Sequence, residues 1–178
     1  MAALTQDWRE FLSLLISHRV KFVVVGGHAV AVHAQSRTTE DLDIFVEAST
    51  ANAKKLRAVL AEFGFGEAAP DVALLATPGK VFMIGALPFR IDVLTGVSGL
   101  EFAKAWSTRV RVPTEIGRVP FVAKAELIAN KRASGRPKDL ADLALLEATT
   151  PARLRRQKAA KPESAQSPPR TKRRTPSR

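Results

Sequence analysis

The chain has 178 residues, a length that suits one domain with a sizeable apolar core. It contains no cysteine, which excludes disulfide frameworks, thiolate metal sites and cysteine nucleophiles, and its three histidines leave little for zinc. The net charge of +11 is unevenly placed: residues 151–178 hold ten Lys/Arg against one acid, Glu163, so the first 150 residues are nearly neutral and the basicity belongs to the tail.

In chain order, Trp8, Phe11, Leu12, Leu15 and Ile16 recur at helical spacing behind Thr5, a residue type that caps helices, and predict a helix over 5–18. Asp7 and Glu10 stand where a signal peptide would be basic, and the apolar run from Phe11 to Ile16 is too short to span a bilayer, so a cytoplasmic protein with no membrane contact is expected. KFVVV at 21–25 is β-branched and aromatic and stops at Gly26-Gly27, after which HAVAVHAQ reads as a short helix. DLDIFV at 41–46 alternates as a strand does, and 49–63 reads as an amphipathic helix stopped by Gly64. VFMIG and PFRIDVL, joined at Ala86-Leu87, predict an antiparallel hairpin. Helices over Lys124–Ala133 and Pro137–Ala148 follow, with Gly135 ending the first and Pro137 suited to the first turn of the second. From Pro151 onward, Pro, Ser, Ala, Lys and Arg with a single Leu cannot offset the entropy of ordering, so a folded unit over 1–150 and a disordered basic tail over 151–178 are expected. Strands mixed with helices and a hairpin point to an α+β or mixed α/β architecture.

The chemistry concentrates on acids. Asp41 and Asp43 lie two apart on a strand and leave the same face, while Leu42 and Ile44 point to the core; Asp92 stands between Ile91 and Val93 in the same way. If the two strands are neighbours, three carboxylates converge, and their mutual repulsion favours a divalent cation. Oxygen-only ligands select Mg²⁺ or Mn²⁺. Gly26-Gly27 before a helix offers an anion cradle, since glycine allows close approach and a helix N-terminus carries free N–H groups. Lys131, Arg136 and Lys138 cluster around the Gly135 turn, where they either meet a triphosphate or decorate a solvated helix end. Asp142 either orients Lys131, pairs with Arg136 or is simply exposed. His28 and His33 are five apart, which does not place them on one helix face as a metal pair, and His28 suits a surface or packing role better than substrate contact.

Taken together, Gly26-Gly27, RTTEDLDI and RIDVL resemble the signature of the nucleotidyltransferase superfamily: a strand ending in Gly-Gly or Gly-Ser, an Asp-x-Asp on the next strand, and a third acid on a later one. Arg37 with Thr39 before the acids, Lys131, and Lys138-Asp139 with Asp142-Leu143 are similar to features of small nucleotidyltransferase-like proteins related to the AbiEii-type toxins of bacterial toxin-antitoxin systems. The resemblance covers roughly residues 20–148. It implies a polymerase-beta-like mixed sheet flanked by helices, with Asp41, Asp43 and Asp92 as catalytic acids holding two Mg²⁺ or Mn²⁺ ions. It further implies Gly26, Gly27, Arg37 and Lys131 as contacts of an NTP substrate. The phosphate-binding serine of the superfamily is replaced by Gly27, and the chain lacks the large C-terminal region of AbiEii-type toxins.

The expected activity is transfer of a nucleoside monophosphate from an NTP to a hydroxyl with release of pyrophosphate, Asp92 serving as base. An RNA or tRNA end is the favoured acceptor, met by the domain and the basic tail, and a cognate antitoxin is a possible partner. The competing expectations are a catalytically silent nucleotide- or RNA-binding module of the same fold, and an interaction platform whose tail alone binds nucleic acid.

Overall fold

The computed structural model describes residues 5–34, 39–86 and 88–149. Residues 151–178, Arg37 and Leu87 of the hairpin turn lie outside these, as do the expectations placed on them. The elements run α1 (Gln6–Ser17), β1 (Phe22–Val24), α2 (Gly26–His33), β2 (Asp41–Val46), α3 (Thr50–Leu60), α4 (Val72–Leu75), β3 (Val81–Ile84), β4 (Arg90–Leu94), α5 (Phe102–Thr108), β5 (Val110–Thr114), β6 (Gly117–Phe121), α6 (Lys124–Ser134) and α7 (Pro137–Ala148). The result is the mixed α/β architecture expected from the sequence.

Six strands form one mixed sheet in the order β3-β4-β2-β1-β6-β5. The central pairing is β2 with β4, parallel and in register from Asp41 opposite Arg90 to Phe45 opposite Leu94. β3 runs antiparallel to β4 and forms the predicted hairpin, β1 is antiparallel to β2, and β6 joins β1 in parallel through Val24 and Phe121. Alternation along β2 and β4 sends Leu42, Ile44, Val46, Ile91 and Val93 to one face, where they are buried in the same core as Phe11, Leu12 and Leu15 of α1 and Leu56, Val59 and Leu60 of α3. Burying such apolar surface is the main favourable term in folding.

Local signals set several boundaries. Thr5 caps α1 by accepting from the Trp8 N–H at 3.2 Å. Gly135 closes α6 in the left-handed conformation with φ +63, and Pro137 opens α7. The third helix departs from expectation: α-geometry ends at Leu60, and 61–65 continues as a wider π turn that breaks at Gly64. Likewise α2 starts at Gly26 rather than after the glycine pair.

Four elements, α4, α5, β5 and β6, escaped the sequence reading. Both strands carry a proline (Pro113, Pro120) and exposed arginines, a composition that weakens any strand signal. Pairing with each other through five positions, and of β6 with β1, is what makes them strands, with β5 at the sheet's edge. Among the described residues, no helix is long and apolar enough to cross a membrane.

Candidate active site

The register of β2 and β4 builds the site. Asp43 lies directly opposite Asp92, and Asp41 sits one same-face position earlier on β2, so carboxylate oxygens of all three lie within 4.8 Å of one another. They open onto a cleft of about 480 Å³ that is also lined by Gly26, Gly27, Thr39, Glu40, Arg90, Lys131, Arg136 and Lys138. The structure therefore brings together every sequence-derived candidate that it describes: Asp41, Asp43, Asp92, Gly26, Gly27 and Lys131.

Gly26 is required by close approach. Its φ is +61, and a Cβ built there would stand 1.8 Å from Oδ2 of Asp43. The missing side chain lets the Asp43 carboxylate lie against the first turn of α2. Gly26→Ala is expected to lower stability by about 1–3 kcal/mol, from the left-handed backbone and the displaced carboxylate together, and to lower metal affinity with it. Urea denaturation and Mn²⁺ titration of the variant check this; unchanged values in both would remove the steric role.

The electrostatics favour a divalent ion. Burial first, and then the charges of Asp41 and Asp92, push the Asp43 carboxyl up to about 6, against the opposing pull of Lys131 and Lys138. Lys131 and Arg136 are already matched by other acids. Lys131, only 3% exposed, holds Asp139 at 2.7 Å and Asp142 at 2.8 Å, and Arg136 bonds Asp139 at 2.7 Å. Among the described residues, four carboxylates of the cleft (Glu40, Asp41, Asp43, Asp92) are then offset by Arg90 and Lys138 alone. An all-oxygen donor set with surplus negative charge fits Mg²⁺ or Mn²⁺.

Of the alternatives open for Asp142, pairing with Lys131 is the one realised. Lys131 is a member of a buried ionic cluster that ties α6 to α7 beneath the cleft, rather than a solvated cation at a helix end. Lys138 is exposed at the cleft and has no ion-pair partner among the described residues. Burial alone would raise the Asp139 carboxyl, but hydrogen bonds from Arg136, Lys131 and Ser134 outweigh it and hold the group far below the ordinary carboxylate range. A depressed pKa contributes stability that is present above the unfolded value, about 3.9, and is lost as pH falls below it. The urea midpoint is thus expected to fall between pH 5 and pH 3, and to fall less steeply in Asp139→Asn; equal slopes would exclude Asp139 as a source of the acid sensitivity.

Arg90 has no role in the sequence reading, and Thr39 figures there only through the family resemblance. Arg90 forms a two-pronged pair with Asp92, Nε to Oδ1 at 2.7 Å and Nη2 to Oδ2 at 2.8 Å. The signal was present, since a spacing of two on a strand places both on one face. Thr39 donates its hydroxyl to Oδ1 of Asp41 at 3.0 Å. His28 packs inside, its ring edge-on to Trp8 at 4.9 Å, and the His33 Nε2 meets the Val122 carbonyl at 2.7 Å.

A family described as nucleotidyltransferases of unknown function (DUF6036) matches residues 2–148. No curated protein matches the sequence significantly. Among solved structures, the chain is similar to ANT(2")-Ia in complex with adenylyl-2"-tobramycin, at 14% identity and a TM-score of 0.52 over 85% of this chain and 92% of that one. It is similar also to an antigenic nucleotidyltransferase-like protein from Paracoccidioides brasiliensis, at 15% identity and a TM-score of 0.52 over 85% of this chain and 79% of that one. At these identities the two structures speak for the fold.

Proposed function

The chain belongs to the DUF6036 family of nucleotidyltransferases, and from that premise we propose that it moves a nucleoside monophosphate from an NTP to the hydroxyl of an RNA end, with Asp41, Asp43 and Asp92 holding two Mg²⁺ or Mn²⁺ ions. The observation that carries the reading is the in-register pairing of Asp43 with Asp92, which gathers three carboxylates beside a glycine pair at a helix N-terminus.

Bound there, the ions would polarise the α-phosphate and lower the pKa of the attacking hydroxyl. The first N–H groups of α2, freed of side-chain bulk at Gly26 and Gly27, face the phosphates as donors. Lys138 adds an uncommitted positive charge, Lys131 and Arg136 form the wall behind it, and Arg37 lies in the segment leading to Thr39. The acceptor oxygen bonds to the α-phosphorus, the bond to the β-phosphate oxygen breaks, and pyrophosphate leaves. Asp92 takes the hydroxyl proton and passes it to solvent.

The acceptor choice rests on the resemblance to toxin-like relatives and on the +9 segment at 151–178, whose charge attracts polyanions by counterion release. A toxin role with a cognate antitoxin rests on the same resemblance. The test is to incubate the full chain with each NTP labelled at the α-phosphate, Mg²⁺ or Mn²⁺, total RNA and cell lysate, and to follow the label. Label on RNA is expected. Label on protein or a small molecule instead overturns the acceptor, and no label anywhere, with NTP binding intact, favours a silent nucleotide-binding module.

A further inference from the structure

Among the described residues, Arg90 is the one cationic group of the cleft that the reaction above leaves unused. Its guanidinium covers both oxygens of Asp92, and the same Nη2 lies 3.6 Å from Oδ2 of Asp41. The position between Asp41 and Asp92 is therefore already taken by a cation that belongs to the chain. Arginine cannot shed its proton, so this charge leaves only by movement. Movement is open to it: the side chain is 26% exposed on the cleft, whereas Lys131 is enclosed by two buried carboxylates.

We propose that Arg90 is an internal counter-cation of the acid cluster, which must withdraw from Asp92 before a divalent ion is taken and which thereby sets the metal affinity of the site. The inference rests on the metal reading of Asp41, Asp43 and Asp92. Without a bound ion, the fork reduces the repulsion among the three acids and holds Asp92 in place. A divalent ion shared by Asp92 and Asp41 would stand within a few ångströms of the guanidinium and repel it. The withdrawn guanidinium then lies in the cleft with Gly26, Gly27 and Lys138, where the phosphates of a nucleotide are its natural anions. Ion uptake and phosphate binding are linked by one side chain that serves whichever anion the metal leaves free.

The test uses Mn²⁺ alone, without nucleotide, titrated into the full chain and read by the electron paramagnetic resonance of free Mn²⁺. Arg90→Gln removes the charge and is expected to bind Mn²⁺ at least about tenfold more tightly than the wild type. Its melting temperature without metal should be lower, and its rise on adding Mn²⁺ larger. Arg90→Lys keeps a positive charge and should stay within about threefold of the wild type. Equal or weaker binding by Arg90→Gln, or Arg90→Lys binding as tightly as Arg90→Gln, overturns the proposal while leaving the metal reading intact. Absence of Mn²⁺ binding in all three proteins overturns both. A measurement on the wild type stands even if Arg90→Gln does not fold: the Arg90 Nε–H resonance, identified by its loss in Arg90→Lys, should exchange faster with solvent once Mg²⁺ saturates the site. A resonance unmoved by Mg²⁺ would equally end the idea.

Discussion

Asp43→Asn is expected to lower nucleotidyl transfer at least about a hundredfold while leaving the fold in place, because it removes one carboxylate of the central pair and keeps the volume. Asp43 stands opposite Asp92 across the β2–β4 pairing and against the backbone of Gly26, so no neighbouring acid can take its position. The same substitution relieves like-charge repulsion, since Asp41 and Asp92 both disfavour ionisation of this partly buried group. The melting temperature without metal should consequently hold steady or rise. Single-turnover transfer and thermal denaturation of the metal-free protein check the two halves. Turnover near that of the wild type would refute the metal assignment, and a large loss of metal-free stability would instead mean that Asp43 is a structural group.

Lys131→Met should have the largest effect on stability, about 3–5 kcal/mol, with little change in side-chain length. Removing one partner of a buried ion pair leaves the other charges enclosed without compensation. Here Asp142 loses the ammonium at 2.8 Å, and Asp139 keeps Arg136 and Ser134 but loses its bond to the same ammonium. Both carboxylates are essentially buried, so water cannot replace the lost partner. Asp142→Asn added to Lys131→Met should recover part of the loss. Urea denaturation of the single and double variants provides the measurement; a single-variant loss below about 1 kcal/mol would show that the cluster is solvated in solution. Weaker nucleotide binding by Lys131→Met must then be corrected for this loss of stability before it is read as a lost substrate contact.

Most of the site's raw material was legible before any coordinates. Asp41 and Asp43 share a face because a strand has a period of two, and Asp92 between Ile91 and Val93 was placed by the same rule. The glycine pair, the hairpin and the two C-terminal helices rest on local chemistry: missing side chains, β-branched runs, a left-handed Gly135, a proline at a first helical turn. Arg90 obeyed that rule too and was passed over, because its role depends on having an acid at the same height on the same face. The elements between residues 95 and 123 were hidden for a different reason. β5 and β6 each carry a proline, Pro113 and Pro120, which argues against a strand from sequence alone, and they become strands through the partners they find across the sheet.

The sequence by itself determined which residues could carry charge, which face of each strand they leave by, and the ends of α1, α6 and α7, since all of these depend on neighbours within a few positions along the chain. Only the tertiary structure decided that β2 and β4 lie side by side and parallel, in the register that sets Asp43 against Asp92. That pairing joins segments separated by more than forty residues, and a slip of one position would turn the acids to the other face. Tertiary packing decided likewise that Lys131 is enclosed with Asp139 and Asp142 instead of reaching into solvent. A lysine at the end of a helix is equally at home in water or in an ion pair, and the choice lies with the helix that packs against it.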